Sequence, residues 1–160
     1  MRIAGIRKTS LVDGYGVNYT IFTQGCHHEC EECHNPSTHD PNGGYDITID
    51  ELKVDISSLK IIQGVTFSGG EPLEQIEEVY ELAKWCKQQN LQTTLYTGYK
   101  MINKCIWIQD SDDGVACLTS IDLQYFDHII DGSFEVDKKT VDLPFRGSSN
   151  QRMLKKGVDY

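Results

Sequence analysis

Long apolar runs are missing from this 160-residue chain: nothing approaches the roughly 18 residues that a membrane-spanning helix requires. The opening Met1 to Lys8 also lacks the apolar stretch of a signal peptide. The expectation is a cytoplasmic protein that makes no use of a membrane. Basic residues are scarce: 15 Lys and Arg stand against 24 Asp and Glu, a formal net charge of -9. That balance argues against nucleic acid as a partner, because a phosphate backbone selects basic surfaces. Repeats and linkers are not evident, so residues 1–160 are expected to form a single domain, and 39% hydrophobic residues suffice for a core. The acidic residues gather at Asp46, Asp50, Glu51 and Asp55, from Glu71 to Glu81, and from Asp110 to Asp113. They read as solvated faces and loops rather than as a docking surface for a basic partner.

Six cysteines are present, and without an export signal they are expected in a reducing compartment, where clustered thiols bind metals or react. Three crowd into Gln24-Gly25-Cys26-His27-His28-Glu29-Cys30-Glu31-Glu32-Cys33-His34-Asn35. Thiolates spaced C-x3-C-x2-C can hold an iron–sulfur cube by three corners, leaving one iron open to a substrate. Three cysteines with one of His27, His28 or His34 equally compose a structural zinc site. The close spacing favours the cube, since zinc sites usually draw ligands as separated pairs and no second pair at zinc spacing follows. Cys86 falls on the apolar side of an expected helix and reads as a small buried hydrophobe, while Cys105 and Cys117 receive no assignment.

Apolar and polar residues alternate from Val17 to Thr23, which predicts a strand running into the cysteine loop. A second strand is expected over Ile61 to Phe67, leading into Ser68-Gly69-Gly70-Glu71-Pro72. A helix follows, with Ile76, Val79, Tyr80, Ala83 and Cys86 at helical spacing as far as Gln89. Further strands are expected over Gln92 to Tyr96, ending at Thr97-Gly98-Tyr99, and over His128 to Asp131, ending at Gly132-Ser133. Short helices are expected over Met101 to Ile108 and Ser120 to Phe126, flanking an acidic loop from Asp110 to Gly114. The fold class is α/β with a mostly parallel sheet. Such sheets place ligands outside the carboxyl ends of their strands, where the cysteines, the glycine turn and Thr97 collect. The chain is too short for a closed eightfold barrel of roughly 250 residues. An open partial (β/α) barrel follows, whose exposed side admits a protein substrate. The Gly69-Gly70 turn has an ordinary reading as a strand-to-helix turn with Pro72 opening the helix. It also bares backbone carbonyls, which suit the ammonium group of an amino acid.

A strand, a C-x3-C-x2-C loop and a second strand ending in Gly69-Gly70-Glu71-Pro72 together resemble the radical S-adenosylmethionine superfamily. The resemblance implies a [4Fe-4S] cluster on Cys26, Cys30 and Cys33, with the amino and carboxylate groups of S-adenosylmethionine chelating the fourth iron. Reductive cleavage would then yield a 5'-deoxyadenosyl radical that abstracts hydrogen. Ser10-Leu11-Val12-Asp13-Gly14-Tyr15-Gly16 ahead of Phe22-Thr23-Gln24-Gly25-Cys26 resembles the activating enzymes of glycyl-radical proteins. His28-Glu29-Cys30, Cys33-His34-Asn35, Thr97-Gly98-Tyr99, Asp131-Gly132-Ser133-Phe134 and Arg146-Gly147-Ser148-Ser149-Asn150-Gln151 are similar to the activating components of anaerobic ribonucleoside-triphosphate reductases. This match runs from Ile3 to Gln151.

What the resemblance implies is a protein substrate, the large reductase subunit, in which a glycine Cα–H becomes a stored radical. It also implies a flavodoxin-like electron donor and either a homodimer or a complex with a dimeric reductase. Ser68, Gly69, Gly70 and Glu71 would line the methionine end, with Gly70 a backbone contact and Glu71 either a partner of the amino group or a brace for the turn. Thr97 reads either as a contact to the cofactor or as a turn-stabilising hydroxyl. Two positions depart from the pattern. Glu32 stands where many members place an aromatic or apolar residue against adenine, which turns attention to His34 and Asn35 for that face. Tyr15 stands where proline is usual. Ser148, Asn150 and Gln151 match without a role that the sequence supplies. Two rival readings are a small radical enzyme acting on a metabolite and a non-catalytic zinc-binding module.

Overall fold

The computed structural model describes residues 1–109 and 115–160, and the acidic loop expected from Asp110 to Gly114 lies outside them. The chain opens with two long strands, β1 (Arg2–Ser10) and β2 (Asn18–Thr23). The cysteine loop follows, then β3 (Tyr45–Asp46) and α1 (Ile49–Ser58). Next come β4 (Gly64–Gly69), α2 (Ile76–Gln88) and β5 (Gln92–Thr97). An added hairpin sheet comprises β6 (Met101–Ile102), β7 (Cys105–Gln109) and β8 (Val115–Thr119). The chain closes with β9 (His128–Asp131) and β10 (Arg152–Lys155).

The main sheet has seven strands in the order β10-β9-β5-β4-β2-β1-β3. Its centre, β2-β4-β5-β9, is parallel and runs in chain order, while the flanking pairs on both sides are antiparallel. Register aligns Ile21, Phe67, Leu95 and Ile129 in one row across the four parallel strands, and all four are fully buried. With Val79, Leu82 and Ala83 of α2 they form the core. The neighbouring row on the opposite face is Thr20, Thr66, Thr94 and His128. It is covered by the Asp13-Gly14 loop, whose Asp13 accepts from Thr20 Oγ1 at 3.1 Å through its side chain and from Thr66 Oγ1 at 2.8 Å through its backbone carbonyl.

Helix α1 begins with a reciprocal cap: Glu51 N donates to Thr48 Oγ1 and Thr48 N to the Glu51 carboxylate. Leu52 and Ile56, one turn apart, bury its inner face. Helix α2 buries Val79, Ala83 and Cys86 of the stripe read from sequence and Leu82 beside them, with Ile76 and Tyr80 only partly buried, and the chain leaves it through Asn90 at φ 59°. Burial pushes the Cys86 thiol up to about 12, as befits an inert packing residue.

Two expected helices are absent among the described residues. Residues 101–108 form strands instead, because Asn103 and Lys104 both adopt left-handed φ, 53° and 61°, and make the two-residue turn that pairs Met101 with Ile106 and Ile102 with Cys105. Residues 120–126 form successive turns: Asp122 accepts from the Thr119 backbone and hydroxyl, after which Leu123 and Phe126 drop into the core. The crossover from β5 to β9 therefore carries a small sheet where the two earlier crossovers carry helices. Cys105 and Cys117, which the sequence left unassigned, lie diagonally across β7 and β8 with their Cα atoms 5.7 Å apart and their side chains in contact.

Candidate active site

Four parallel strands end at one edge, and each hands over a polar or glycine-rich segment. Thr23-Gln24-Gly25-Cys26 leaves β2, Gly70-Glu71 leaves β4, Gly98 leaves β5 and Gly132-Ser133-Phe134 leaves β9. These segments enclose a cavity of about 150 Å³ lined by Cys26, Cys30 and Cys33, by His34 and Asn35, and by Ser68, Gly69, Gly70 and Thr97. The candidate residues therefore converge, except for Glu71, which lies beneath the wall with no exposed surface. No Asp, Glu, Lys or Arg is among the described residues that line the cavity. The cavity shares His34, Asn35, Thr38, Ser68, Tyr96, Phe134 and Gln151 with a larger one of about 600 Å³, which extends to Ala4, Arg7, Asp13 and Arg146.

The cysteine loop is shaped by its backbone. Glu29 and Glu32, each immediately before a cysteine, adopt left-handed φ of 46° and 51°. The loop is anchored at its base by Gly25 N donating to Thr38 O at 2.8 Å and by Gln24 Nε2 donating to the Ser37 and Asp40 carbonyls. Asn35 N donates to Cys33 Sγ at 3.4 Å, the kind of hydrogen bond that tunes a cluster. Burial pushes the Cys26 thiol up to about 11, and the charges of Glu71 and Glu74 add to the effect. Burial also raises the Cys30 thiol, against an opposing backbone hydrogen bond from Phe134. Iron must displace these protons on binding.

Three thiols facing one cavity fit a cube held at three corners. Among the described residues no three His, Cys, Asp or Glu groups, these cysteines included, already close on a single point. Of the three histidines that a zinc site could recruit, His27 bonds Glu74 through Nδ1 and His28 Nε2 lies 2.9 Å from Glu71 Oε2, while the His34 ring packs on Phe134 with centroids 4.8 Å apart. Glu32 turns outward, 3.9 Å from Lys139 Nζ.

The glycine turn is required by close packing as well as by exposure. A Cβ at Gly70 would stand 2.1 Å from the Gly25 carbonyl oxygen, and one at Gly69, where φ is 101°, would stand 2.5 Å from Thr23 N. The turn's amides are spent on this contact, Gly70 N donating to Thr23 O and Glu71 N to Gly25 O. Carbonyl oxygens are what the turn retains for a ligand. Glu71 corrects the expectation of a solvated acidic face from Glu71 to Glu81. Its carboxylate accepts from Leu73 N at 3.0 Å, Thr97 Oγ1 at 2.9 Å and Gly98 N at 2.8 Å, besides His28. An ionised carboxylate offers about four acceptor positions, so Glu71 stands as a brace. Thr97 gives its hydroxyl proton to that brace and accepts from Tyr99 N.

The tail residues also act on the wall. Gln151 accepts from Gly147 N and Ser148 N and donates to Gly132 O; Asn150 donates to Ser133 O; Ser148 Oγ accepts from Glu135 N. They hold the Gly132–Glu135 segment in place, and Gln151 itself lines both cavities. Sequence reasoning had no role for Phe134, Tyr96 or Gln151. The first two sit at carboxyl ends of parallel strands, a position that marks them; Gln151 reaches the site only through tertiary packing.

Such a site on such a sheet defines a class, an α/β domain that carries one iron–sulfur cluster on a three-cysteine loop. Residues 12–154 match the family model of the 4Fe-4S single cluster domain. The chain is 36% identical to the anaerobic ribonucleoside-triphosphate reductase-activating protein of Enterobacteria phage T4, over 92% of this chain and 90% of that one. It is 32% identical to the protein of the same name from Escherichia coli (strain K12), over 88% of this chain and 90% of the other. The pyruvate formate-lyase-activating enzyme of Clostridium pasteurianum is 35% identical over 81% of this chain, which spans 61% of that longer relative. The chain belongs to the 4Fe-4S single cluster domain family and, within it, to the family of the anaerobic ribonucleoside-triphosphate reductase-activating proteins.

Proposed function

We propose that this protein is a radical S-adenosylmethionine enzyme that generates the glycyl radical of an anaerobic ribonucleoside-triphosphate reductase. The observation that carries the reading is the convergence of Cys26, Cys30, Cys33 and the Gly69-Gly70 turn on one cavity that runs into a second, larger one. Cluster and S-adenosylmethionine, once bound, supply the hydrogen-abstracting radical; the chain supplies position and exclusion of water. Cys26, Cys30 and Cys33 hold the cluster, and the Gly69 and Gly70 carbonyls face the methionine ammonium. His34 and Asn35 offer the adenine face in place of the outward-turned Glu32, and Ser68 and Thr97 complete the wall.

The larger cavity, walled by β1 on one side and Arg146 on the other, receives the glycine-bearing segment of the large reductase subunit. Sequential order of β2, β4, β5 and β9 supports an open segment of a (β/α) barrel, since a doubly wound sheet reverses its order at the ligand site. Residues 1–160 act as one domain, in the cytoplasm, with a low-potential flavodoxin-like donor and as a homodimer or in complex with a dimeric reductase. Among the described residues no helix is long and apolar enough to cross a membrane.

The test is electron paramagnetic resonance of the anaerobically reconstituted, reduced protein with S-adenosylmethionine, then with the reductase subunit added. A cluster signal that shifts with cofactor, followed by a glycyl doublet on the reductase, is the expected result. A shifted cluster signal with no doublet means a different substrate, and a colourless zinc protein overturns the reading.

A further inference from the structure

His28 lies midway between Cys26 and Cys30, and its side chain is 16% exposed. Its Nε2 is 2.9 Å from Glu71 Oε2, a contact in which the imidazole N–H donates to the ionised carboxylate. The ring meets Tyr99 edge-on at 4.7 Å between centroids and lies against bare backbone at Gly98, where a Cβ would come within 2.4 Å of His28 Cδ2. Beside it, His27 Nδ1 bonds Glu74 and its Nε2 lies 3.1 Å from Tyr99 Oη. Three segments from three parallel strands thus meet at one fully buried carboxylate: the cysteine loop through His28, the glycine turn through Glu71 itself, and the end of β5 through Thr97 and Gly98.

We propose that His28 is a positioning residue that holds the cysteine loop and the Gly69-Gly70 turn in one register, so that the open iron and the ammonium-binding carbonyls stay at a fixed spacing. The part of this that concerns S-adenosylmethionine rests on the function proposed above. Of the donors to Glu71, His28 alone comes from the cysteine loop, while Leu73, Thr97 and Gly98 brace the carboxylate from the other two segments. Removing the imidazole therefore takes one donor from the brace and loosens the Glu71–Gly98 bond on which the ring packs, and it leaves the three thiols in place yet free to shift with the loop against the turn. Partners that orient the groups around a metal in this way are typically worth roughly 10–100-fold in affinity.

Two variants separate this role from bulk and from ligation. His28→Gln keeps an N–H within reach of Glu71, and His28→Leu keeps the volume without the donor. Three quantities are measured for each and for the wild type: iron and sulfide content after reconstitution, the dissociation constant for S-adenosylmethionine, and hydrogen exchange at the Gly98 amide in metal-free protein. Expected are full cluster content in both variants, near-wild-type cofactor binding by Gln, and a roughly 10–100-fold loss by Leu. The Gly98 amide should exchange faster in the Leu variant alone. Unchanged cofactor affinity and Gly98 exchange in the Leu variant overturns the proposal, and so does loss of the cluster in both variants, which makes His28 a ligand. If the wild type itself ignores S-adenosylmethionine, the function fails while Gly98 exchange still decides the clamp.

Discussion

Cys30 sits at the centre of the loop, between the two left-handed glutamates, in a segment where partly buried and exposed residues alternate. Cys30→Ala is expected to abolish the cluster and all activation while leaving the fold intact, read by iron content, visible absorption and circular dichroism. Gly70→Ala acts differently, because its methyl meets the Gly25 carbonyl oxygen at 2.1 Å. The loop and turn must part, at a cost of about 1–3 kcal/mol, visible in urea unfolding of the metal-free protein. The cysteines and both glycines were legible because their chemistry is local: spacing names the first and bare backbone the second. Glu71 carried two readings in the sequence, ammonium partner or brace, and what the sequence could not supply was the set of donors that favours the brace. Two of its donors, Thr97 and Gly98, come from some 26 residues further along, and a third, His28, from 43 residues back.

At the level of elements, Asp127 joins the end of α2 to the start of β5. It pairs with Lys87 and accepts from Thr93 N at 2.8 Å. Burial alone would raise this carboxyl, but the Lys87 ammonium and the Thr93 amide outweigh burial and bring it below its ordinary value. A carboxyl lower in the folded state stabilises above the unfolded value of about 3.9 and loses that contribution as pH falls through the folded value. Asp127→Asn should therefore destabilise by about 1–3 kcal/mol near neutral pH, and the difference from wild type should close in acid below the carboxylate range, as paired denaturant titrations would show. Periodicity gave α2 and the four parallel strands. It failed for β6 and β7 because Asn103-Lys104 lacks the glycine that usually marks a left-handed two-residue turn. Helix α1 did carry a signal, the Thr48-x-x-Glu51 box, hidden among acidic residues that read as solvent-facing.

Across the molecule, Asp131 gathers three elements of the chain that are distant in sequence. It is fully buried, pairs with Arg152 of β10, and accepts from Met101 N at the root of the hairpin sheet, while Arg152 also donates to Met101 O. Arg152→Met leaves that carboxylate short of its charge partner and should cost about 3 kcal/mol. Pairing it with Asp131→Asn should recover part of the loss, a coupling that a double-mutant cycle in thermal unfolding measures. Because Gly132 and Ser133 follow directly, loosening this latch should also slacken the cavity wall. The sheet's parallel centre was readable from sequence; its antiparallel edges were not, since β1, β3 and β10 show little alternation and owe their places to pairing partners.

The lining of the smaller cavity, histidines but no Asp, Glu, Lys or Arg among the described residues, bears on how readily an electron enters. A cluster on three thiolates is already anionic, and among the described residues no lysine or arginine lines the cavity to offset a further negative charge. Net charge and surroundings set such a potential, so a wall without lysine or arginine would favour the oxidised state of a cluster held there. S-adenosylmethionine, with its ammonium on the Gly69 and Gly70 carbonyls, would bring its sulfonium cation as the missing counter-ion. Electron uptake and cofactor arrival then become linked equilibria, each favouring the other, which guards against idle reduction when there is nothing to cleave.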